Sequence, residues 1–415
     1  MTAHPETTGP ADPARLDTER MHRIYRHLHA NPELSMKEYA TADFIEAELD
    51  DLDIAHFRCA GTGVVGVVHN GEGPVVAFRA DTDALPIREE TGLEYASEAV
   101  GTLDDGTEVP VMHGCGHDTH ITSALTAARV LVSDLDAWSG TLVLVFQPGE
   151  ETAVGARAMV DDGLWNRAPR PDVVLGQHVM SLPAGAVTVS HGAAMSMADS
   201  LKVTVYGRQA HGSQPQASVD PIVLGASIVT RLQTIVSREL DPRSPAVITC
   251  GTFHAGFKEN IIPGKAEFTL NIRTFEPEVR DQVLAAVHRV ITGEAAVSNA
   301  PEPLIEELYR FPQCYNDPDE AARVEAALRA GLGEDRVSEG VPDMGSEDFG
   351  ELSETIDVPS VYWFFGGFDP VDGEPPSNHS PYFAPVMEPT LATGARAAIT
   401  GILAYLGAGN DRSGD

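Results

Sequence analysis

Lysine is scarce in this 415-residue chain, because only Lys37, Lys202, Lys258 and Lys265 occur and most of the positive charge is arginine. Acidic residues outnumber basic ones by 62 to 28, which gives a formal net charge of −34 at pH 7. A surface of this sign repels polyanions, so the composition argues against nucleic acid or an anionic membrane as a partner. An anionic substrate would need local cations to overcome the same field.

Long hydrophobic runs are also missing, and none approaches the roughly 20 residues that a membrane-spanning helix needs. The segment Met1 to Arg15 is polar and contains proline, so it does not resemble a signal peptide. The four cysteines, Cys59, Cys115, Cys250 and Cys314, are too scattered for a disulfide scaffold or a zinc finger. We therefore expect a cytoplasmic protein, and its length favours two domains.

Two catalytic signatures are absent: the His-Glu-x-x-His of helical zinc proteases and the Gly-x-Ser-x-Gly of serine hydrolases. The segment Gly61 to Gly66 matches the dinucleotide-binding fingerprint by letter. Its surroundings, however, predict a strand over Val64 to His69, a turn, and a second strand over Val75 to Ala80. The fingerprint requires a helix at that place, so we predict a β-hairpin and no nucleotide site.

Three apolar runs each lead directly into acidic or histidine side chains. The runs are Val75–Phe78 before Asp81 and Asp83, Leu142–Phe146 before Glu150 and Glu151, and Val173–Leu175 before His178. Continuous apolar strands favour a sheet covered on both faces, and helical patterns over 119–131 and 153–164 separate them. The sequence thus predicts an α/β fold with a mostly parallel sheet. Sites in such sheets form where the strands end.

The pattern changes at residue 196 to strand, helix, strand, strand, helix, strand, and α/β features resume near residue 310. That order is typical of a compact, ferredoxin-like α+β unit. We therefore expect a catalytic domain formed by residues 1–195 and 310–415, interrupted by an inserted domain of residues 196–309.

The six residues His113-Gly-Cys-Gly-His-Asp118 carry the strongest chemical signal. A thiolate and neutral imidazoles are good ligands for zinc and its neighbours, and the two glycines allow a tight turn. His113, Cys115, His117 and His120 are too many for one site, so we expect some of them to orient ligands or to serve the structure. The group as a whole predicts a metal site.

Glu150 and Glu151 are adjacent carboxylates after an apolar run, where one can bind metal while the other handles protons. The alternative is an acidic surface loop, which the preceding Pro148-Gly149 turn makes less attractive. Asp81 and Asp83 have the same two interpretations, as orienting acids or as surface charge.

Nine motifs occur in order over nearly the whole chain and resemble those of one family. They are His29-Ala-Asn-Pro-Glu33, Ala80-Asp-Thr-Asp-Ala-Leu-Pro86, Met112-His-Gly-Cys-Gly-His-Asp118, Gln147-Pro-Gly-Glu-Glu151, Gly176-Gln-His178, Ala210-His-Gly-Ser213, Asn260-Ile-Ile-Pro263, Met344-Gly-Ser-Glu-Asp-Phe349 and Asn378-His379. The family is that of the metal-dependent amidohydrolases, which includes hippurate hydrolase, the aminoacylases and the plant auxin–amino-acid conjugate hydrolases. The resemblance implies a dinuclear metallopeptidase-like catalytic domain with an inserted lid and dimerisation domain.

Site roles follow from the same resemblance. It implies two divalent ions, zinc or manganese, held by Cys115, His117, Glu151, His178 and His379. It makes Glu150 the general base and acid, and Asp83 an acid that orients a metal-binding group. His211 would steady the oxyanion in a neighbouring subunit, and Asn260 and Arg273 would grip the substrate carboxylate. In many relatives alanine stands at the position of Gly114.

Three functions remain open from the sequence. The first is hydrolysis of N-acyl-L-amino acids by a homodimeric enzyme. The second is a carboxypeptidase or dipeptidase of the same architecture. The third is a non-catalytic, metal-dependent binding protein, which the presence of Glu150 and a full ligand set makes the least favoured.

Overall fold

The computed structural model describes Asp12, residues 15–369 and residues 375–407. Apart from Asp12, the polar segment 1–14 lies outside the described residues, and so does the expectation that it is not a signal peptide. The strands are β1 (Ala55–Cys59), β2 (Gly63–Asn70), β3 (Val75–Asp81), β4 (Val100–Thr102), β5 (Glu108–Pro110), β6 (Gly140–Gln147), β7 (Val173–Pro183), β8 (Val187–Val189), β9 (Gly192–Met195), β10 (Met197–Tyr206), β11 (Ala210–His211), β12 (Ala246–Ala255), β13 (Ile261–Ile262), β14 (Lys265–Thr274), β15 (Leu304–Phe311), β16 (Cys314–Asn316), β17 (Val337–Glu339) and β18 (Ser360–Phe368). The helices are α1 (Thr18–Ala30), α2 (Tyr39–Asp50), α3 (His117–Val132), α4 (Gly155–Asp161), α5 (Leu164–Arg167), α6 (Pro221–Arg238), α7 (Pro277–Val297), α8 (Pro318–Leu332), α9 (Gly350–Glu354) and α10 (Thr390–Leu406).

The chain divides into two compact units. The first comprises Met1–Ala194, Tyr315–Pro342 and Asp348–Asp415, and the second comprises Met195–Cys314 together with Asp343–Glu347. The catalytic and inserted domains that the sequence suggests have boundaries close to these, at residues 195 and 309. The second unit additionally includes a five-residue piece that returns to it from later in the chain.

The first unit is built on an eight-stranded sheet of order β1-β2-β6-β3-β7-β18-β8-β17. Its centre, β6-β3-β7-β18, is entirely parallel, and the antiparallel strands β2 and β8 flank that centre. The prediction of an α/β fold with a mainly parallel sheet is confirmed. Because the carboxyl ends of β6, β3 and β7 lie at one edge, their polar residues converge there.

Both faces of the central strands are covered, as their continuous apolar runs predict. All eight residues of β6 are buried. On β18, the ring of Trp363 packs against Phe78 and against Gly401 of α10, whereas the adjacent Tyr362 packs against Phe349 beside α9. Successive residues of a strand point to opposite faces, so helices lie on each side of the sheet.

The second unit is an antiparallel sheet of order β12-β14-β10-β15 with α6 and α7 packed on it. Strand β14 alternates exposed or half-buried residues with buried ones, which is the pattern of a sheet with one covered face. The element order β10-α6-β12-β14-α7-β15 is the predicted one. Its role as a lid stays a prediction.

Two local predictions are wrong. Strands β2 and β3 form no hairpin, because β6 lies between them and pairs with both; β2 instead pairs with β1. The helix expected over 153–164 is broken into short pieces, since Ala153 and Gly163 adopt left-handed conformations at φ +58° and +85°. Residues in that conformation end helices.

Among the described residues, no helix has both the length and the apolar character required to cross a bilayer.

Candidate metal centre

The site lies at the carboxyl edge of the parallel strands in the first unit. Asp83 follows β3, Glu150 and Glu151 form a single helical turn after β6, and His178 lies in β7 beyond its pairing with β3. The predicted convergence of these strand ends is what the sheet order produces. Seven of the ten predicted site residues belong to this unit.

The turn at 113–116 brings two ligand candidates into the site. Gly116 adopts φ +82° and immediately precedes α3, so His117 is the first residue of that helix. A Cβ atom on Gly116 would lie 2.4 Å from Cγ1 of Val179, whereas one on Gly114 would lie 3.4 Å from the nearest atom, Cδ1 of Ile87. Glycine is thus required at 116 for conformation and for space, but not at 114.

Substitution of these glycines is predicted to separate the two requirements. Gly116→Ala combines a left-handed conformation with a steric overlap, and we expect a loss of about 3 kcal/mol in the free energy of unfolding. Gly114→Ala adds only ordinary contacts and should change it by under about 0.5 kcal/mol. Urea unfolding of the metal-free proteins measures both values. Equal effects would show that the turn is not held against Val179.

The imidazole of His117 is surrounded by carboxylates. Its Nδ1 lies 3.3 Å from Oδ1 of Asp83, and its Nε2 lies 3.9 Å from both Oε2 of Glu150 and Oε1 of Glu151. Both ring nitrogens, Oδ1 of Asp83 and Oε1 of Glu151 are buried without a hydrogen-bond partner within the described chain. Buried polar atoms are rarely left so. Nδ1 of His117 faces Asp83, whereas Nε2 of His117 and Oε1 of Glu151 together fit a cation.

A second group of ligand atoms adjoins the first. Atoms of Cys115, Glu151 and His379 lie within 4.8 Å of one another, with Nε2 of His379 3.3 Å from Oε2 of Glu151. The Sγ atom of Cys115 lies 3.4 Å from Nε2 of His178. Glu151 contributes a carboxylate oxygen to both groups.

Hydrogen bonds decide which histidines can offer a lone pair. Nδ1 of His178 donates to the carbonyl of Val179 at 2.7 Å, which leaves Nε2 free to bind a cation. In His120, Nε2 accepts from the N–H of Val179 at 2.8 Å, so Nδ1 must carry the hydrogen that it donates to Asp81. Both ring nitrogens of His120 are therefore in hydrogen bonds, and this residue orients its neighbours and does not bind an ion.

Asp81 and Asp83 are fully buried, so their interpretation as surface charge is wrong. Asp83 accepts at Oδ2 from the N–H of Glu151 at 3.0 Å and from Ser35 at 2.6 Å. Burial alone would favour the neutral acid, but Arg79, His117 and His120 hold the pKa of Asp81 well below its usual range. Asp83 thus holds the backbone of Glu151, and Asp81 holds His120.

The electrostatics of the ligand set also fit a cation. Burial raises the pKa of the Cys115 thiol to about 12, and the nearby charge of Glu151 adds to that effect. Burial, with the charges of Asp83 and Asp81, raises the pKa of Glu151 to about 8. Thiolate and carboxylate ligands in such a setting need a compensating positive charge, which a divalent ion supplies.

His113 lies apart from the groups of potential ligand atoms that the described residues form. It is buried, and both ring nitrogens lack a partner among the described residues. Burial lowers its pKa to about 4. The groups of potential ligand atoms within the described chain do not include it.

A buried ion cluster supports the start of α3. Nδ1 of His29 lies 2.6 Å from Oδ2 of Asp118, and its Nε2 lies 3.1 Å from Oε1 of Glu89. Burial opposes the charged imidazole, but these two carboxylates raise the pKa of His29 to about 9. His29 therefore stays protonated at neutral pH.

Stability should depend on pH through this group. The folded pKa of His29 exceeds the unfolded value of 6.5, so its stabilisation is complete below pH 6.5 and is lost as the pH rises through 9. The difference in pKa corresponds to about 3 kcal/mol. We expect the gap in unfolding free energy between wild type and His29→Gln to shrink by that amount over this window. A constant gap in urea titrations of metal-free protein would contradict the assignment.

The remaining predicted site residues lie in the second unit. His211 pairs with Ile261 across β11 and β13, and its Nδ1 accepts from the N–H of Ser213 at 3.1 Å, so the neutral ring carries its hydrogen on Nε2. Asn260 is exposed, and its backbone carbonyl accepts from the N–H of Gly212 at 2.8 Å. The structure brings His211 and Asn260 together within this unit.

Arg273 lies on β14. Its Nε donates to Asn271 at 2.9 Å, and its Nη1 donates to the carbonyl of Met344 at 2.6 Å and to Ser346 at 3.2 Å. Its Nη2 has no hydrogen bond to the described residues of its own unit. The guanidinium is thus held from one side and can donate from the other.

Sequence patterns did not identify two buried residues that organise the site. Arg79 is 1% exposed and binds Asp81, Gln147 and Asp348. The only sequence signal was an arginine inside an apolar strand. Glu38 is fully buried, and no sequence pattern singled it out.

Comparison with known proteins is consistent with this geometry. The family described as Peptidase family M20/M25/M40 matches residues 77–402. Three relatives are similar over most of their length: Thermostable carboxypeptidase 2 of Saccharolobus solfataricus, 35% identical over 90% of this chain and 92% of its own; N-acetyl-L-cysteine deacetylase of Bacillus subtilis, 35% identical over 86% and 83%; and hippurate hydrolase of Campylobacter jejuni, 36% identical over 82% and 87%.

A solved structure agrees as well. A dinuclear metal-binding peptidase of family M20 from Bacillus subtilis superposes with a TM-score of 0.76 and 29% identity, covering 94% of this chain and 99% of its own. Its two metals accord with the two adjoining groups of ligand atoms described above. By its sequence and by its fold, this chain belongs to peptidase family M20/M25/M40.

Proposed function

We propose that this protein hydrolyses the amide bond of N-acyl-L-amino acids and releases a carboxylic acid and an amino acid. The observation that carries the proposal is Glu150, a buried carboxylate whose Oε2 lies 3.9 Å from Nε2 of His117, beside a complete set of metal-ligand candidates. A metalloprotein without hydrolytic activity would not need this additional acid. Two of the three relatives are named for N-acyl amino acid substrates.

The ligands proposed for two divalent ions are Cys115, His117, Glu151, His178 and His379. When bound, the ions would polarise the substrate carbonyl and lower the pKa of a water molecule. A thiolate ligand favours zinc over manganese because sulfur is a soft donor. Asp83 would orient His117 from behind, at the 3.3 Å separation between them.

Glu150 would handle the protons of the reaction. Its carboxylate takes a proton from the attacking water and later gives it to the leaving amine, as a single acid–base group can do. His211 would stabilise the oxyanion through its Nε2–H, which the bond from Ser213 keeps available. Arg273 and Asn260 would bind the substrate carboxylate, for which the fork of an arginine is well suited.

We further propose a cytoplasmic homodimer in which the second unit acts as a lid and dimerisation domain. Support for the compartment is the scattered cysteine pattern, because none of the four cysteines forms a disulfide within the described structure. Support for the dimer comes from the motif Ala210-His-Gly-Ser213. It resembles the family motif whose histidine reaches the site of a neighbouring subunit. Light scattering of the purified protein tests the oligomeric state, and a monomer would contradict this part of the proposal.

A hydrolysis screen with metal analysis tests the proposed reaction. The panel contains acylated glutamine, glycine and aromatic amino acids together with acetylated amino acids, and a matched set of dipeptides and longer peptides. We expect release of free amino acid from the acylated set and a metal content near two ions per chain. Preference for peptides would favour the carboxypeptidase or dipeptidase alternative. Thermostable carboxypeptidase 2, at 35% identity, supports that alternative. Binding of acyl-amino acids without turnover would favour a non-catalytic protein.

A further inference from the structure

Glu38 is a buried carboxylate that the proposed mechanism does not use. Its Oε1 accepts hydrogen bonds from the backbone N–H of Met36 at 2.8 Å and of Gly149 at 2.9 Å. Its Oε2 accepts from the hydroxyl of Thr62 at 2.6 Å. Although Glu38 directly precedes α2, its side chain caps no N–H of that helix. Its hydrogen bonds instead reach the residue before Glu150.

The turn that Glu38 contacts leads directly into Glu150. Gly149 adopts φ +61°, and a Cβ atom there would lie 2.6 Å from Sδ of Met36. The carbonyl of Gly149 accepts from the N–H of Gly155 at 3.1 Å, where a Cβ atom would meet the carbonyl oxygen of Pro148 at 1.5 Å. The Gly149 peptide is therefore enclosed, and the Glu38 carboxylate accepts its N–H.

The neighbouring Ser35 supports the second member of the acidic pair. Its hydroxyl donates at 2.6 Å to Oδ2 of Asp83, the same oxygen that accepts the N–H of Glu151 at 3.0 Å. The segment 35–38 thus anchors the backbone at Gly149 directly and at Glu151 through Asp83. Glu150 lies between these two anchored positions.

We propose that Glu38 is a positioning residue that fixes the orientation of Glu150 through the N–H of Gly149. The proposal rests on the function assigned above, because it requires Glu150 to act on substrate. Glu38 acts by geometry and touches neither substrate nor metal. A misplacement of about 1 Å in a catalytic group can lower a rate about 100-fold, so loss of this anchor should affect turnover.

Two substitutions distinguish geometry from charge. Glu38→Ala removes the acceptor and leaves the N–H groups of Gly149 and Met36 unpaired. Glu38→Gln can keep an oxygen at the Oε1 position and direct its amide to Thr62, whose hydroxyl can accept as well as donate. If Glu38 acts by its geometry, Glu38→Gln should keep the wild-type kcat. If Glu38 acts by its charge, both variants should lose kcat and the pH profile of the activity should change.

The experiment measures kcat, KM and metal content, and amide hydrogen exchange of the peptide that contains Gly149 in the metal-free proteins. For Glu38→Ala we expect kcat to fall about 10- to 100-fold. KM and metal content should stay within about twofold, and exchange at Gly149 should be faster. For Glu38→Gln we expect kcat within about threefold of wild type, with an unchanged pH profile and slow exchange.

Glu33→Ala is a matched control. Glu33 lies in the same segment and accepts from the N–H groups of Ala40 and Thr41, but its side chain makes no bond to the 147–151 turn. We expect it to lower stability while leaving kcat at the wild-type value. If Glu38→Ala does the same, Glu38 is merely structural and the proposal is overturned.

Failure of the proposal and failure of the assigned function give different results. Wild-type turnover in Glu150→Gln would overturn the assigned role of Glu150. An inactive Glu150→Gln combined with wild-type kcat in Glu38→Ala would overturn the positioning role alone. Should Glu38→Ala not fold, Glu38→Asp keeps the charge but shortens the side chain by one methylene, which withdraws the acceptor from the N–H of Gly149. A several-fold lower kcat at unchanged KM then supports the proposal, and an unchanged kcat rejects it.

Discussion

Glu150→Gln is expected to retain its metal and to lose turnover by about three orders of magnitude, because a positioned general base contributes about 10²- to 10⁴-fold. The amide keeps the shape of the carboxylate but cannot accept a proton from water. Glu150 is 5% exposed, so bulk water cannot easily take over its task. Assays of kcat at saturating substrate, together with metal analysis of the same sample, measure both parts of the prediction.

Glu151→Gln is the matched control for that variant. Glu151 is the neighbouring carboxylate and approaches both His117 and His379, so its loss should lower metal affinity before it affects chemistry. We expect Glu151→Gln to regain activity when metal is added in excess, and Glu150→Gln to stay inactive. Loss of metal from Glu150→Gln would make Glu150 a ligand and would reverse the two roles.

Arg79→Met should destabilise the protein by about 3–5 kcal/mol, the usual range for removing one partner of a buried ion pair. Arg79 donates to Asp81 at 2.6 Å and to Asp348 at 3.3 Å, and all three side chains are essentially inaccessible. Methionine fills much of the volume but leaves these carboxylates without their counter-charge. Urea unfolding of the metal-free protein gives the change in free energy.

Arg58→Met provides the comparison on β1, an edge strand of the same sheet. Arg58 also pairs with two acids, Asp43 and Glu46, but these lie at the surface. Solvent screens such pairs, so we expect a loss of less than about 1 kcal/mol. Similar losses in the two arginine variants would show that burial of the Arg79 network contributes little.

Periodicity predicted most elements of the fold because each has a clear apolar pattern. In strand β14, buried residues alternate strictly with more exposed ones. In helix α6, the apolar residues form a single stripe. Apolar periodicity did not predict which strands lie next to each other in the sheet. Nothing in the segment 64–80 indicates that β6 inserts between β2 and β3, because that arrangement depends on a partner some sixty residues further along the chain.

The helix expected over 153–164 failed for a different reason. Its side chains are compatible with a helix, but Ala153 and Gly163 adopt left-handed conformations that interrupt it, and Gly155 at the start of α4 packs closely on the carbonyl of Pro148. A contact between backbone atoms has no signature in apolar periodicity. Prediction from patterns is therefore least reliable beside the site, where backbone segments approach each other closely.

The sequence alone determined the chemistry of this protein. The thiol, imidazoles and carboxylates after three apolar runs specified a metal site at strand ends, since parallel strands must end at one edge. Only the tertiary structure decided how the work is divided among them. It placed both nitrogens of His120 in hydrogen bonds, buried Asp81 and Asp83, and brought Glu38 to Gly149. Such assignments depend on which lone pair and which N–H face each other, and distances of that kind exist only after the chain has folded.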